Sequence, residues 1–395
     1  MKIYNFDEVT DRTGTLSYKW EGILIEFPEA PDALPFWIAD MEFPSPEPIV
    51  EAMRKRAAHP IYGYSHESSD AASLTASWLW RRYGWRAAPE SVIFAGGVVP
   101  GLIAMMQAVT EPGDRVIVQP PVYYPFFEMV EDNGREIAEN PLVFDGSKWV
   151  MDYEGFEELA ADPRTKLFLL CNPHNPVSRA YTREELERVG EICLRHQVLI
   201  ASDEIHGDIV YPGSRHIPIA SLSPELSGVT MTSFSFAKTF NTAGLQLSMG
   251  VITDPILRER VQRQLKNAQY LVNLFGAAAL KAAYGNPECE KYLTQLISYL
   301  WGNYLYLESY LKKYIPKIHS QKPEATYLIW LDCRELGLSD KELKRLFLEQ
   351  AGLAFDFGPM FGQGGAGYVR INIACPSSLL QQGLERMRKV CVKKI

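Results

Sequence analysis

Lys166-Leu167-Phe168-Leu169-Leu170-Cys171 runs directly into Asn172-Pro173-His174-Asn175-Pro176. The first six residues are almost continuously apolar, the pattern of a strand buried on both faces of a mainly parallel sheet. Two Asn-Pro pairs then form a rigid turn that cannot continue the sheet. Working outward, further short apolar runs lie at Ser91–Ala95, Arg115–Gln119, Gln197–Ser202, Val229–Ser233 and Leu247–Ile252, with helix-like stretches between them. Thr182-Arg183-Glu184-Glu185 has the form of a capping box, with Leu186, Val189 and Ile192 following at helical spacing. The fold class is α/β, a large domain with a mainly parallel sheet covered by helices. After Asn286-Pro287 the pattern changes to a long amphipathic stretch over Glu288–Tyr314, strand-like Thr326–Leu331, a helix from Asp340, strand-like Tyr368–Ile373 and a last helix. This predicts a smaller α+β domain over 287–395, a large domain over 46–286, and an N-terminal arm over 1–45 that packs on the small domain or on a second chain. Ser45 is expected to cap a helix that has Pro46 at its first position.

The 395 residues carry a formal net charge of −8, with 47% hydrophobic and 22% charged residues. That balance lacks the basic stripe a nucleic-acid partner needs. No apolar run approaches the roughly 18 residues that span a bilayer. The basic cluster Arg386, Arg388, Lys389, Lys393 and Lys394 reads as a solvated helix end. Six cysteines without C-x-x-C spacing, and an N-terminus without a basic-then-apolar leader, point to reduced thiols and a cytoplasmic protein.

Four segments fall at the carboxyl ends of strands, where parallel sheets place their ligands. Phe94-Ala95-Gly96-Gly97-Val98-Val99 takes a strand into a helix through two glycines, which is a tight turn or a cradle of amides for a phosphate. It is not the G-x-G-x-x-G of a nicotinamide site. In the Asn-Pro turn, Asn175 satisfies its own backbone or points its amide at a ligand ring. In Ile200-Ala201-Ser202-Asp203-Glu204-Ile205-His206, Asp203 is a helix cap or a carboxylate that needs a cation; a metal is disfavoured for want of companion ligands. In Thr232-Ser233-Phe234-Ser235-Phe236-Ala237-Lys238-Thr239-Phe240-Asn241, Lys238 is a surface lysine or a desolvated nucleophile towards carbonyls, with Ser235 able to donate to a phosphate. Phosphate cradle, ring donor, ring-nitrogen acid and aldehyde-binding lysine, in chain order, make up a complete site for pyridoxal 5'-phosphate (PLP).

At these residues the chain resembles the fold-type I, aspartate-aminotransferase-like PLP enzymes, and most closely the MalY/PatB-type cystathionine β-lyases. Leu34-Pro35-Phe36-Trp37-Ile38-Ala39-Asp40-Met41, Tyr62-Gly63-Tyr64-Ser65, the Asn172–Pro176 turn, Ser202–His206 and Lys238-Thr239-Phe240-Asn241 carry the resemblance, which spans nearly the whole chain. It implies Lys238 bonded to the cofactor aldehyde, Tyr123 stacked on the ring, Asn175 on the ring oxygen, Asp203 on the ring nitrogen and His206 nearby. It further implies Ser235 and the amides of Gly97 and Val98 on the phosphate, and Arg370 on the substrate carboxylate, with Asp40 a further candidate on the substrate side. Tyr64 would reach the phosphate of a neighbouring subunit. The aromatic arm with Phe36 and Trp37 would be buried by the same partner, giving a homodimer. Three positions depart from the family pattern: Ala237 replaces a hydroxyl, Gln246 replaces a phosphate-binding arginine, and Ser178 replaces a glycine, which costs strain if φ is positive there. The implied reaction is β-elimination from a cysteine S-conjugate such as cystathionine, giving a thiol, pyruvate and ammonia. Class I/II aminotransfer uses the same groups, and a PLP-binding regulatory protein without important catalysis is the reading from another class.

Overall fold

A computed structural model describes residues 2–66 and 69–391. Lys393 and Lys394 of the terminal basic cluster lie outside the described residues. Seven strands form the central sheet: β1 Val92–Ala95, β2 Arg115–Val118, β3 Glu136–Glu139, β4 Thr165–Cys171, β5 Leu199–Asp203, β6 Thr230–Phe234 and β7 Ser248–Ile252. Their spatial order is β1-β7-β6-β5-β4-β2-β3. The sheet is parallel except at β7, which runs antiparallel to both its neighbours. Six of the seven were visible as apolar runs. The seventh, β3, was not, because Glu136-Ile137-Ala138-Glu139 sits at the sheet edge with both glutamates exposed and so lacks the continuous apolar signal.

Alternation along the strands assigns residues to two faces. Val116, Val118, Leu167 and Leu169 pack with the Val98–Val109 helix, while Ile117, Phe168 and Leu170 pack with Phe156, Leu186 and Val189 from helices on the other side. Both faces are therefore covered, as the apolar runs require. The Thr182 capping box is present with both reciprocal hydrogen bonds. Ser45 is not the cap expected: the helix is Glu47–Ala57 with Pro46 at its N-cap, and the Ser45 hydroxyl donates instead to the Asn241 carbonyl at 3.3 Å.

The second sheet has four strands: β8 His319–Ser320, β9 Leu328–Asp332, β10 Asp356–Phe357 and β11 Tyr368–Asn372, in the order β8-β9-β11-β10 and antiparallel throughout. The helix Pro287–Tyr314 precedes it and Ser377–Cys391 closes it. The N-terminal segment joins this second sheet region, since Leu34–Pro35 pairs in parallel with Leu353–Ala354. Phe36 and Trp37 are buried within their own chain, Phe36 beside Phe355 and Trp37 edge-on to Phe27. The expectation that these aromatics need a partner chain is thereby corrected.

One side chain staples the segment to the sheet that carries Lys238. Asn241, in the left-handed conformation at φ 57° that asparagine tolerates, accepts from the Met41 amide at 3.0 Å and donates to the Met41 and Phe43 carbonyls at 2.8 and 2.9 Å. Asn241→Ala removes all three bonds and places alanine in a disfavoured φ. It is expected to lower unfolding free energy by about 4–5 kcal/mol, at about 1 kcal/mol for each of the three bonds plus about 1–2 kcal/mol of backbone strain. Denaturant titration checks this, and a loss within about 0.5 kcal/mol, the range of a neutral surface change, would mean that the staple carries no load.

Candidate active site

The carboxyl ends of β1, β2, β4, β5 and β6 converge on a cavity of about 640 Å³. Its walls include Gly97, Val98, Tyr123, Asn175, Asp203, His206, Ser235, Lys238, Arg370 and Asp40. Ten of the eleven expected residues are thus brought together from segments up to hundreds of positions apart. Tyr64 is not: it is 96% exposed and lies outside the cavity.

Asp203 ends β5 and is buried. Its Oδ1 accepts from the Ile205 amide at 3.1 Å, a local turn bond. Among the described residues no cation lies within ion-pair distance of it. Burial pushes its carboxyl up to about 7, against smaller lowering by that amide and by Lys238. Neighbouring Glu204 points the other way along the strand, accepting from Ser202 Oγ at 2.9 Å and pairing with His216 Nε2 at 2.8 Å. The two acids of the Asp-Glu pair therefore serve different places, as the pleat requires.

Lys238 sits in the short helix Ala237–Phe240 just after β6, and its Nζ donates to the Ala39 carbonyl at 2.6 Å. Burial lowers the amine to about 8; Asp40 and Asp203 oppose that fall, and Arg370 adds to it. His206 is buried edge-on to Tyr327, with Nδ1 lacking any partner, and burial together with the Lys238 and Arg370 charges lowers it to about 3. It stays neutral. Tyr123 is raised by burial and stays protonated.

Arg370, on β11, brings the second sheet to the cavity. It donates NH1 to Asn175 Oδ1 at 2.8 Å and NH2 to the Trp37 carbonyl at 3.2 Å, forms an ion pair with Asp356, and leaves Nε without a partner. Since Asn175 Oδ1 accepts, its amide NH₂ is the group left to donate to a ligand. Asp40 is held by Arg12, which donates to both carboxylate oxygens at 3.0 and 2.9 Å, and by Lys19. Ser178 has φ 57°, so the strain anticipated for a serine there is present; its hydroxyl is held by the Leu328 carbonyl. Gln246, at φ 47°, lines the cavity, and the Ser235 hydroxyl donates to the Leu247 carbonyl at 2.8 Å.

The sequence reading missed Tyr124, Arg12 and Tyr18, which also line the cavity, and Asp356 behind Arg370. Tyr124 adjoins Tyr123 and was within reach of the same reading. The others carried no local signal.

Residues 35–387 match the family of class I and II aminotransferases. The chain belongs to that family. It is 43% identical over 387 residues to cystathionine beta-lyase PatB of Bacillus subtilis, covering 97% of this chain and 99% of PatB. It is 32% identical to the protein MalY of Escherichia coli, covering 97% of each. Among solved structures, cystalysin from Treponema denticola, which contains a pyridoxal 5'-phosphate cofactor, superposes with a TM-score of 0.96 at 32% identity, over 99% of this chain and 100% of cystalysin.

The residues fit such a group. Asp203 lacks a cation that a ring nitrogen would supply, and His206 Nδ1 and Arg370 Nε lack partners. The Val98–Val109 helix begins at Gly97, φ 130°, without any side-chain cap, so its first amides are available to an anion. A consequence follows for the cofactor-free chain. Asp203 ionises near 3.8 unfolded and about 7 folded, so its stabilising contribution is complete below 3.8 and is lost as pH rises through about 7. Asp203→Asn is neutral throughout. Its thermal midpoint, relative to the parent, is expected to rise between about pH 4.5 and 7 and to level off above that. A pH-independent difference in midpoints would show that Asp203 does not titrate in this window.

Proposed function

We propose that this chain is a PLP-dependent carbon–sulfur β-lyase, cleaving L-cystathionine or related cysteine S-conjugates to a thiol, pyruvate and ammonia. The observation that carries the proposal is the meeting of Asp203, Lys238 and Arg370 in one cavity, with the carboxylate lacking a cation and the guanidinium an Nε partner. Full-length similarity to cystathionine beta-lyase PatB supports the lyase over the aminotransferase or regulatory reading.

Bound PLP supplies an aldehyde for amine capture and a protonated ring that takes up the electron pair left when a Cα proton departs. The protein's part is orientation and proton handling. The Gly97 and Val98 amides would hold the phosphate, joined by the Ser235 hydroxyl once it turns from the Leu247 carbonyl to which it now donates. Asp203 holds a proton at the ring nitrogen, which also relieves its own buried charge. Asn175 would donate its amide to a ring oxygen, Tyr123 would cover a ring face, and neutral His206 would pack beside the ring. Arg370 receives the substrate carboxylate. Burial lowers Lys238 Nζ to about 8, which leaves a free-amine fraction of roughly one-tenth at pH 7, far above that of an ordinary lysine, and this free amine takes the Cα proton. As the Cβ–S bond breaks, the sulfur carries off the bonding pair and receives a proton from Lys238 Nζ or the Tyr123 hydroxyl. Asp40 keeps its pairing with Arg12 and sets the charge beside Lys238.

Around this site the chain divides into an arm (1–45), a cofactor-holding domain (46–286) and a smaller α+β domain (287–395). Buried thiols at Cys171, Cys193, Cys289, Cys333 and Cys375, outside any disulfide, accord with a reducing cytoplasm. Among the described residues no helix is long and apolar enough to cross a membrane.

Purified protein given cystathionine is expected to release pyruvate, and not to exchange amino groups at a comparable rate with an amino acid and a keto acid. Lys238→Ala is expected to lose the visible absorbance of covalently held cofactor and to cut pyruvate release by several orders of magnitude. A variant that retained both would remove Lys238 from the chemistry, and dominant exchange would make the chain an aminotransferase.

The assembly is a two-fold homodimer with Tyr64 reaching the neighbouring subunit's phosphate site. The support is the exposure of Tyr64, with Ile61 and Tyr62 also exposed beside it, an apolar loop that a second copy would cover. Mixing inactive Lys238→Ala chains with impaired Tyr64→Ala chains under subunit exchange is expected to restore activity, because one hybrid site is intact. No recovery under confirmed exchange would assign Tyr64 to its own subunit.

A further inference from the structure

We infer that Asp356 is a positioning residue that moderates the carboxylate site, by keeping one edge of the Arg370 guanidinium engaged before any substrate arrives. The inference rests on the reading of Arg370 as the substrate-carboxylate receptor.

Asp356 and Arg370 face each other in register across β10 and β11. Both side chains are almost fully buried, at 4% and 3% exposure, and they form an ion pair. Asp356 does not line the cavity, whereas Arg370 does. The guanidinium has five N–H donors. NH2 serves Asp356 and the Trp37 carbonyl, NH1 serves Asn175 with one of its two N–H groups, and among the described residues Nε has no partner. An arriving carboxylate therefore meets an arginine whose orientation is already fixed and whose charge is already shared with another carboxylate. Phe361, with the guanidinium carbon 5.0 Å from its ring centroid, closes off one face of the arginine. The donors left uncommitted are the second N–H of NH1 and the Nε–H, the latter itself buried.

Burial raises the hydroxyls of Tyr123 and Tyr124, and the Asp356 charge adds to that rise, so its field extends into the cavity. A lone buried arginine would be costly for the fold, and Asp356 offsets that cost. The same charge repels any second carboxylate that Arg370 binds. For a β-lyase this has a use. Substrate and pyruvate both carry the carboxylate, so tighter holding of that group would retain product without lowering the chemical barrier.

Asp356→Asn separates holding from moderating, because asparagine Oδ1 still accepts from NH2 while the negative charge is gone. The probe is propionate, a carboxylate without an amine, titrated into the holoenzyme and followed by cofactor absorbance. Asp356→Asn is expected to bind propionate about tenfold more tightly, the scale of one like-charge repulsion at an effective dielectric of about 20, reduced by relaxation. KM for a cysteine S-conjugate should fall in parallel while kcat stays within about twofold, the pattern of a change in uniform binding. Asp356→Glu, which keeps the charge, should return both values towards the parent. Asp356→Ser carries the same expectation as asparagine should that variant fail to fold. A merely structural ion pair predicts the opposite sign, since its loss loosens the arginine and weakens binding. Unchanged or weaker propionate binding in the folded neutral variants overturns the inference. Arg370→Gln tests the underlying reading separately: parent-like propionate binding there removes Arg370 from the carboxylate site. Lost binding in Arg370→Gln, with no tightening in Asp356→Asn, refutes only the role given to Asp356.

Discussion

Asp203 is held at the end of β5 with one backbone amide for company and no cation within ion-pair distance among the described residues. Burying a carboxylate in that state costs several kcal/mol unless it takes up a proton or gains a partner. The cavity is built around this unmet demand. Five strands deliver their ends to one place, the apolar faces of the sheet exclude water from below, and Lys238 enters from the adjacent strand with an amine that burial has made less basic. A cationic aromatic ring would satisfy Asp203 and leave Lys238 free for an aldehyde. The fit lies in mutual charge compensation as much as in shape.

The site is closed by a part of the chain remote from it in sequence. Residues 36–43 cross over Lys238, and their backbone is fixed from several directions. Asn372 donates to the Ile38 and Asp40 carbonyls, both at 2.7 Å, and Lys19 donates to Asp40 O at 3.0 Å. Asn241 binds Met41 and Phe43. Ala39 contributes no side-chain chemistry, yet its carbonyl accepts from both Lys238 and Tyr327. The anchoring makes the lysine's resting position a property of the whole fold. It also explains why the two sheets meet at this point: β11 supplies Arg370 and Asn372, and the crossing segment lies between them and the central sheet.

Charge around the crossing segment is balanced in pairs. Arg12 and Lys19 offset Asp40 and Glu42, while Asp356 offsets Arg370. Against that paired background Asp203 stands out as the buried acid without an ionic partner among the described residues. A functional group is thus distinguishable from structural ion pairs by what it lacks.

Much of this was legible in the residues. Apolar runs of strand length bounded by Gly, Pro and Asn gave six central strands, because burial on both faces leaves a continuous local pattern. Lys238, Asp203, Asn175 and Gly97 stood out because strand ends are local features and a parallel sheet places its ligands there. The edge strand Glu136–Glu139 escaped because exposure erases the pattern, and Ser45 misled because a capping side chain can be drawn to a remote carbonyl, here that of Asn241. Phe36 and Trp37 signalled burial without saying by what, and their own chain buries them. Tertiary structure alone put the Ala39 carbonyl on an amine 199 positions away and set Asp356 opposite Arg370. Periodicity tells which face a residue takes. Its partner depends on strand register and long-range closure, which are fixed only when the whole core packs.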